Sequence, residues 1–166
     1  MWVKDYMLRD ICTISPDKTI AETVKFLVKN KTNSAIVVDE DRKPIGIISS
    51  YLLVKSVVPP YLHDDPIYSQ YGVEGLFERY AEKAKNKKVK KIMYKDIHIL
   101  SEDDAMIEAA SYSVKAVQRT LPVVNKEGEL VGAITRTCIK NALHNAFFKN
   151  EPINPFNGGN GYKYSR

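Results

Sequence analysis

The sequence predicts an α/β fold made of two copies of one β-α-β-β-α unit, with a further helix inserted between them. The first observation is a phrase written twice. Gly46-Ile-Ile-Ser-Ser-Tyr-Leu-Leu53 and Gly132-Ala-Ile-Thr-Arg-Thr-Cys-Ile139 each run from a glycine through an apolar pair and a hydroxyl residue to an apolar helix start. The second is a constant offset. Displacing the sequence by 86 residues, the distance from Gly46 to Gly132, also aligns Met7 with Met93, Asp10 with Asp96, Ser15 with Ser101, Glu22 with Glu108 and Val37 with Val123. No gap is needed from Met7 to Leu53. The third is that both copies pass through strand-like and helical periods in the same order, the mark of a repeated structural unit.

Each element has a local reason. Residues 11–14 and 97–100 are short leading strands. Ser15-Pro16-Asp17 predicts a helix start with Ser15 as N-cap, Pro16 at the first helical position and an acid facing the helix dipole; Ser101-Glu102-Asp103-Asp104 repeats it. The apolar stripes that follow are Ile20, Val24, Leu27 and Val28, then Met106, Ala109, Ala110, Ser113, Val114 and Val117. Two strands around a polar turn come next, 35–39 with 45–48 and 121–125 with 130–134. A helix closes each unit, near 50–58 and 137–148.

Pro59-Pro60 ends the first unit. Residues 73–88 then place Val73, Leu76, Phe77, Tyr80, Ala81 and Ala84 on one helical face, to cover a partner or to pack within the chain. The expected organisation is repeat one at 2–58, a linker with an amphipathic helix at 59–91, repeat two at 92–148, and a glycine-rich flexible tail at 149–166.

Composition narrows the function classes. A chain of 166 residues with 44% hydrophobic content supports a packed interior. The two cysteines, Cys12 and Cys138, fall in no CxxC pattern, which fits a reducing compartment. No apolar run reaches membrane-span length and no signal-peptide core opens the chain, so a cytoplasmic protein with no membrane partner is expected. The net charge of +5 lies in one acid-free stretch of seven lysines, Lys83 to Lys95; without them the chain is −2 (5 − 7). That stretch lacks interleaved aromatics before Tyr94 and carries no nucleic-acid motif, so it reads as a solvated helix end. P-loop, GxSxG and HExxH patterns are absent, and an enzyme is not expected.

The repeats resemble a tandem pair of CBS (cystathionine beta-synthase-like) domains, a Bateman module, here of the free-standing kind. The resemblance is carried by Ser15-Pro-Asp-Lys-Thr-Ile-Ala-Glu22, by Ser34-Ala-Ile-Val-Val-Asp39 with Gly46-Ile-Ile-Ser49, and by Thr120-Leu-Pro-Val-Val-Asn125 with Gly132-Ala-Ile-Thr135. It implies two repeats packed sheet to sheet with pseudo-twofold symmetry, a homodimer, an effector protein that the sequence does not name, and a non-catalytic role. It also implies two clefts, each taking its leading strand from one repeat and its glycine-strand-hydroxyl turn from the other. No cofactor is required; the ligands implied are AMP, ADP, ATP or S-adenosylmethionine.

By that carry-over the first cleft holds Ile11, Cys12, Thr13, Ser34, Ala35 and Ile36 with Thr135, Arg136 and Cys138. The second holds Ile97, His98, Ile99, Thr120, Leu121 and Pro122 with Ser49, Ser50 and Leu52. Thr135 and Arg136 at a helix start suit a phosphate. His98 reads as a packed or stacked ring, since no His/Cys/Asp spacing around it marks a metal site. Glu102-Asp103-Asp104 likewise reads as helix-start electrostatics. One departure stands out. Adenosine-binding relatives carry an aspartate three residues after the hydroxyl, and here those places are Leu52 and Cys138, neither of which accepts two hydroxyl hydrogen bonds. The alternatives to a nucleotide sensor are a ligand-free assembly scaffold and a basic nucleic-acid-binding adaptor.

Overall fold

The protein is described by a computed structural model covering residues 1–64, 74–115 and 119–156. A 3₁₀ turn (Val3–Asp5) leads into β1 (Thr13–Ile14), α1 (Ile20–Lys29), β2 (Ser34–Val38), β3 (Pro44–Ser49) and α2 (Ser50–Val57). The connection carries α3 (Pro60–Asp64), α4 (Leu76–Ala84) and α5 (Val89–Ile92). The second unit is β4 (Leu100–Ser101), α6 (Met106–Lys115), β5 (Thr120–Val124), β6 (Leu130–Thr135) and α7 (Arg136–Phe147). The order β-α-β-β-α appears twice, as the repeat requires.

Each unit forms a three-stranded sheet in which the leading strand runs parallel to the second and the second pairs antiparallel with the third. The registers match residue for residue: Ser34 faces Ser49 and Thr120 faces Thr135, and both hairpins slip at the same place, after Val37 and after Val123. Three consecutive residues in β2 and in β5 are buried, as expected of strands covered on both faces. One face of each sheet meets its own helices. The other meets the opposite sheet, where Ile36 packs with Leu130 and Ala133.

The units are contiguous in sequence but exchange their leading segments in space. Val3, Tyr6 and Met7 are buried in the second unit's core, while Val89, with Ile92 and Met93, belongs to the first unit's core. The exchange is sealed by two matching bridges. Leu8 and Ala133 each donate an N–H to the other's carbonyl at 2.9 Å, and so do Ile47 and Tyr94. The repeated glycine is explained here. A Cβ on Gly132 would lie 2.8 Å from the Leu8 carbonyl oxygen, and one on Gly46 would lie 2.7 Å from the Met93 sulfur. Each glycine admits the partner unit's leading segment.

Several expected element boundaries are corrected. The first long helix starts at Ile20 rather than after Ser15, because Thr19 and Glu22 form a complete capping box: Thr19 Oγ1 accepts the Glu22 N–H at 3.1 Å and the Glu22 carboxylate accepts the Thr19 N–H at 2.8 Å. Residues 15–18 are held as a turn instead, their Pro16 and Lys18 carbonyls accepting N–H groups of Lys90 and Val89. In the second unit, Asp104 accepts the Ser101 N–H at 2.7 Å and the helix begins at Met106. The leading strands shorten to two residues each, since residues 10–12 and 96–98 are crossing from one unit to the other. The linker helix covers Leu76–Ala84 and packs on α2, with Ala84 in the first core and Phe77 67% exposed; Val73 lies outside the described residues. The start of the tail is tied down. The Asn145 amide accepts the Ile153 N–H at 2.8 Å and donates to the Ile153 carbonyl and the Tyr6 hydroxyl. The tail's glycines lie outside the described residues.

Candidate functional site

The exchange of leading segments leaves a cavity of about 700 Å³ where the first unit's crossing strand leaves β6 and joins β2. Leu8 sits at β6, and the chain then runs through Asp10, Ile11, Cys12 and Thr13 along the cavity wall. The start of β2 adds Ser34, Ala35 and Ile36, and β3 adds Ile47. The end of α1 and the turn after it bring Phe26, Asn30 and Thr32. Thr120, Ala133 and Thr135 come from the second unit. Both units are required to build it.

The lining is an apolar slot with a polar rim. Ile36 and Ala133, which belong to the inter-sheet cluster, supply flat apolar surface, and Phe26 presents a ring. Hydroxyl and amide groups from Thr13, Asn30, Thr32, Ser34, Thr120 and Thr135 surround it. Among these lining residues there is one carboxylate, Asp10, and no Lys, Arg or His. Burial, reinforced by the nearby Asp10 charge, raises the Cys12 thiol above its ordinary pKa, so it stays protonated and is a poor nucleophile.

Seven of the nine residues expected in the first cleft line this cavity: Ile11, Cys12, Thr13, Ser34, Ala35, Ile36 and Thr135. Arg136 does not; it opens α7 with its side chain exposed. Cys138 is placed elsewhere, 2% exposed in the second core beside Met7, Leu121 and Ala142. Its Sγ accepts the Thr135 N–H at 3.4 Å, serving the helix start in place of an acid. Cys12 and Cys138 therefore do not share a cleft.

The second cleft's residues are more scattered. Thr120 lines the first cavity, because β5 pairs with β6 and Thr120 lies opposite Thr135. Leu121 is 1% exposed in the second core, Pro122 is buried, and Leu52 packs against the first core. Ser49 Oγ caps α2 by accepting the Leu52 N–H, and Ser50 donates its N–H to the Asn33 carbonyl at 2.9 Å. Ile97 is half-buried and Ile99 more exposed. His98 stacks on Tyr112, ring centroids 3.2 Å apart and planes inclined by 16°.

Sequence reasoning missed Leu8, Asp10, Phe26, Asn30, Thr32, Ile47 and Ala133 as lining residues. Two carried a signal. The 86-residue offset pairs Asp10 with Asp96 and Phe26 with Tyr112, an acid and a ring kept at the same places of both copies.

The CBS domain family model matches residues 3–58 and 89–145. The chain belongs to the CBS domain family. Among curated relatives, the uncharacterized protein MJ1426 of Methanocaldococcus jannaschii is 30% identical over 155 residues, covering 86% of this chain and 91% of its own. Another CBS relative is longer. The chain spans 56% of the chloroplastic CBS domain-containing protein CBSX1 of Arabidopsis thaliana, at 28% identity over 76% of this chain. Solved CBS pairs share the fold. CBSX2 of Arabidopsis thaliana, solved in complex with AMP, has a TM-score of 0.65 at 21% identity, covering 88% of this chain and 98% of its own. The CBS domain pair of protein MJ0100, in complex with 5-methylthioadenosine and S-adenosyl-L-methionine, has a TM-score of 0.63 at 23% identity, with the same coverage.

Proposed function

We propose that this CBS pair is a non-catalytic regulatory module that senses an adenosyl ligand in the cavity between its units. The observation that carries the reading is the cavity itself. It is built from both repeats, lies within the range of about 300–1,000 Å³ typical of small-molecule sites, and joins an apolar slot to a hydroxyl-rich rim. A ligand there touches β2 of one unit and β6 of the other, so binding biases how the two halves sit. Two CBS pairs of the same fold hold AMP and S-adenosylmethionine, which supports the ligand class.

The charge of the lining refines it. The acid missing at Cys138 has a substitute in Asp10, whose carboxylate accepts the two hydrogen bonds of a ribose diol. With one carboxylate and no cation lining the cavity, a phosphate must stay at the mouth, where the α7 N-terminus and Arg136 pair with one phosphate and leave further ones without a partner. AMP or S-adenosylmethionine therefore binds more tightly than ADP, and ADP more tightly than ATP. Titration calorimetry across these four ligands tests the order. ATP binding tightest contradicts the electrostatic reading, and silence from all four favours the ligand-free scaffold, the second reading that the packed Leu52 and Cys138 support.

The reading includes a homodimer. Val24 and Val28 on α1, and Ile107 and Val114 on α6, are 42–89% exposed and are the apolar surface a second copy covers. A sedimentation mass of one chain contradicts it.

A further inference from the structure

We propose that the second cleft is plugged by the chain's own side chains, His98 lying on Tyr112 where a ligand base lies on Phe26 in the first, so that each chain carries one ligand site. The inference rests on the first cavity being the ligand site and adds its stoichiometry. The two clefts have the same backbone frame. Leu8 bridges to Ala133 as Tyr94 bridges to Ile47, and β1 pairs with β2 as β4 pairs with β5. Within that frame the 86-residue offset sets Cys12 against His98 and Phe26 against Tyr112.

The same two positions have opposite contents. In the first unit they are a small thiol and a phenyl ring, and both face open cavity. In the second they are an imidazole and a phenol in near-parallel contact, centroids 3.2 Å apart and planes inclined by 16°. Each ring covers the face that the other would offer to a purine. Stacking on an exposed aromatic face is the least specific part of base recognition, and it is the part already satisfied within the second cleft. A base entering there must first separate the pair.

Exchanging the contents tests it. The His98→Cys/Tyr112→Phe variant copies the first cleft's residues into the second, and Cys12→His/Phe26→Tyr does the reverse. Titration calorimetry with AMP on the full chain is expected to give one site for the wild type, two for the opened variant and none for the closed one. Two sites in the wild type overturn the proposal, as does an opened variant that melts cooperatively yet gains no site. If the wild type binds no AMP, the reading of the first cavity fails instead, and a site gained in the opened variant still supports the plug. Proton NMR gives a ligand-free check. The His98 ring protons are expected upfield of their free position and to return on Tyr112→Leu; finding them at the free position in the wild type overturns the stack.

Discussion

Replacing Gly132 by alanine probes the exchange of leading segments that creates the site. The new Cβ would lie 2.8 Å from the Leu8 carbonyl oxygen, 2.8 Å from the Met7 sulfur and 3.1 Å from Met7 Cγ. The first contact is with backbone fixed by two hydrogen bonds to Ala133, and Met7 is fully buried, so neither yields freely. Overpacking of this kind costs about 1–3 kcal/mol. Removing a glycine from a strand returns about 0.5–1 kcal/mol of backbone entropy. The net expectation is a loss of about 1–2 kcal/mol, which at roughly 2–4 °C per kcal/mol lowers Tm by about 2–8 °C. Gly46→Ala is the internal control. Its closest contact, 2.7 Å, is to the flexible Met93 thioether and the Tyr94 carbonyl is at 3.0 Å, so about 0–1 kcal/mol is expected. Urea unfolding with an unchanged m-value measures both. Because Leu8 leads directly into Asp10–Thr13, Gly132→Ala should also weaken AMP binding. A Gly132→Ala protein as stable as the wild type, or a larger loss at Gly46, would mean that the Leu8 and Met7 contacts are not the tight ones.

The capping box at Thr19 predicts that Thr19→Ala lowers stability by about 1 kcal/mol in urea unfolding, while Ser15→Ala, outside the helix, changes little. Hydrogen bonding from the Thr19 N–H, then from Lys18, lowers the Glu22 pKa from 4.5 to about 2. A depressed carboxyl stabilises the fold above its unfolded pKa, so this contribution is full above about pH 5 and fades as pH falls toward 2; Glu22→Gln should flatten that part of the Tm–pH curve. Cys12, partly exposed but with a raised pKa, should label slowly in the folded chain and be shielded by AMP, whereas Cys138 should react only on unfolding; ligand-dependent labelling of Cys138 contradicts its placement. Asn145→Ala should release residues 150–156 to rapid amide exchange and cost about 1–2 kcal/mol, since it removes hydrogen bonds to Ile153 and Tyr6.

The repeat made the fold legible. A fixed offset forces the same sheet, register and bulge on both units, and the valine runs and polar turns locate β2, β3, β5 and β6 to within a residue. What periodicity cannot show is exchange between units. Met7 and Met93 are visible as an aligned pair, but that each serves the other unit's core depends on a close approach that only Gly132 and Gly46 hint at. The helix starts were misplaced because Ser15-Pro16 and Thr19-x-x-Glu22 both read as caps, and tertiary hydrogen bonds from α5 to Pro16 and Lys18 decide between them. The first cleft was largely readable, since its wall is the leading strand and β2. Cys138 was not, because one turn into α7 its side chain points to the second core. Phe26 and Tyr112 sit on helices that the sheet-based reading of the clefts left aside.

We propose one adenosyl site per chain, built across the two units and confined to the first cleft. A crystal structure of the full chain grown with AMP tests it most directly. One nucleotide per chain is expected, its base against Phe26 between Ile11–Thr13 and Ser34–Ile36, its ribose hydroxyls at Asp10, and its phosphate at the mouth by the start of α7. Nucleotide stacked at Tyr112, nucleotide in both clefts, or an empty first cavity at saturating AMP contradicts it.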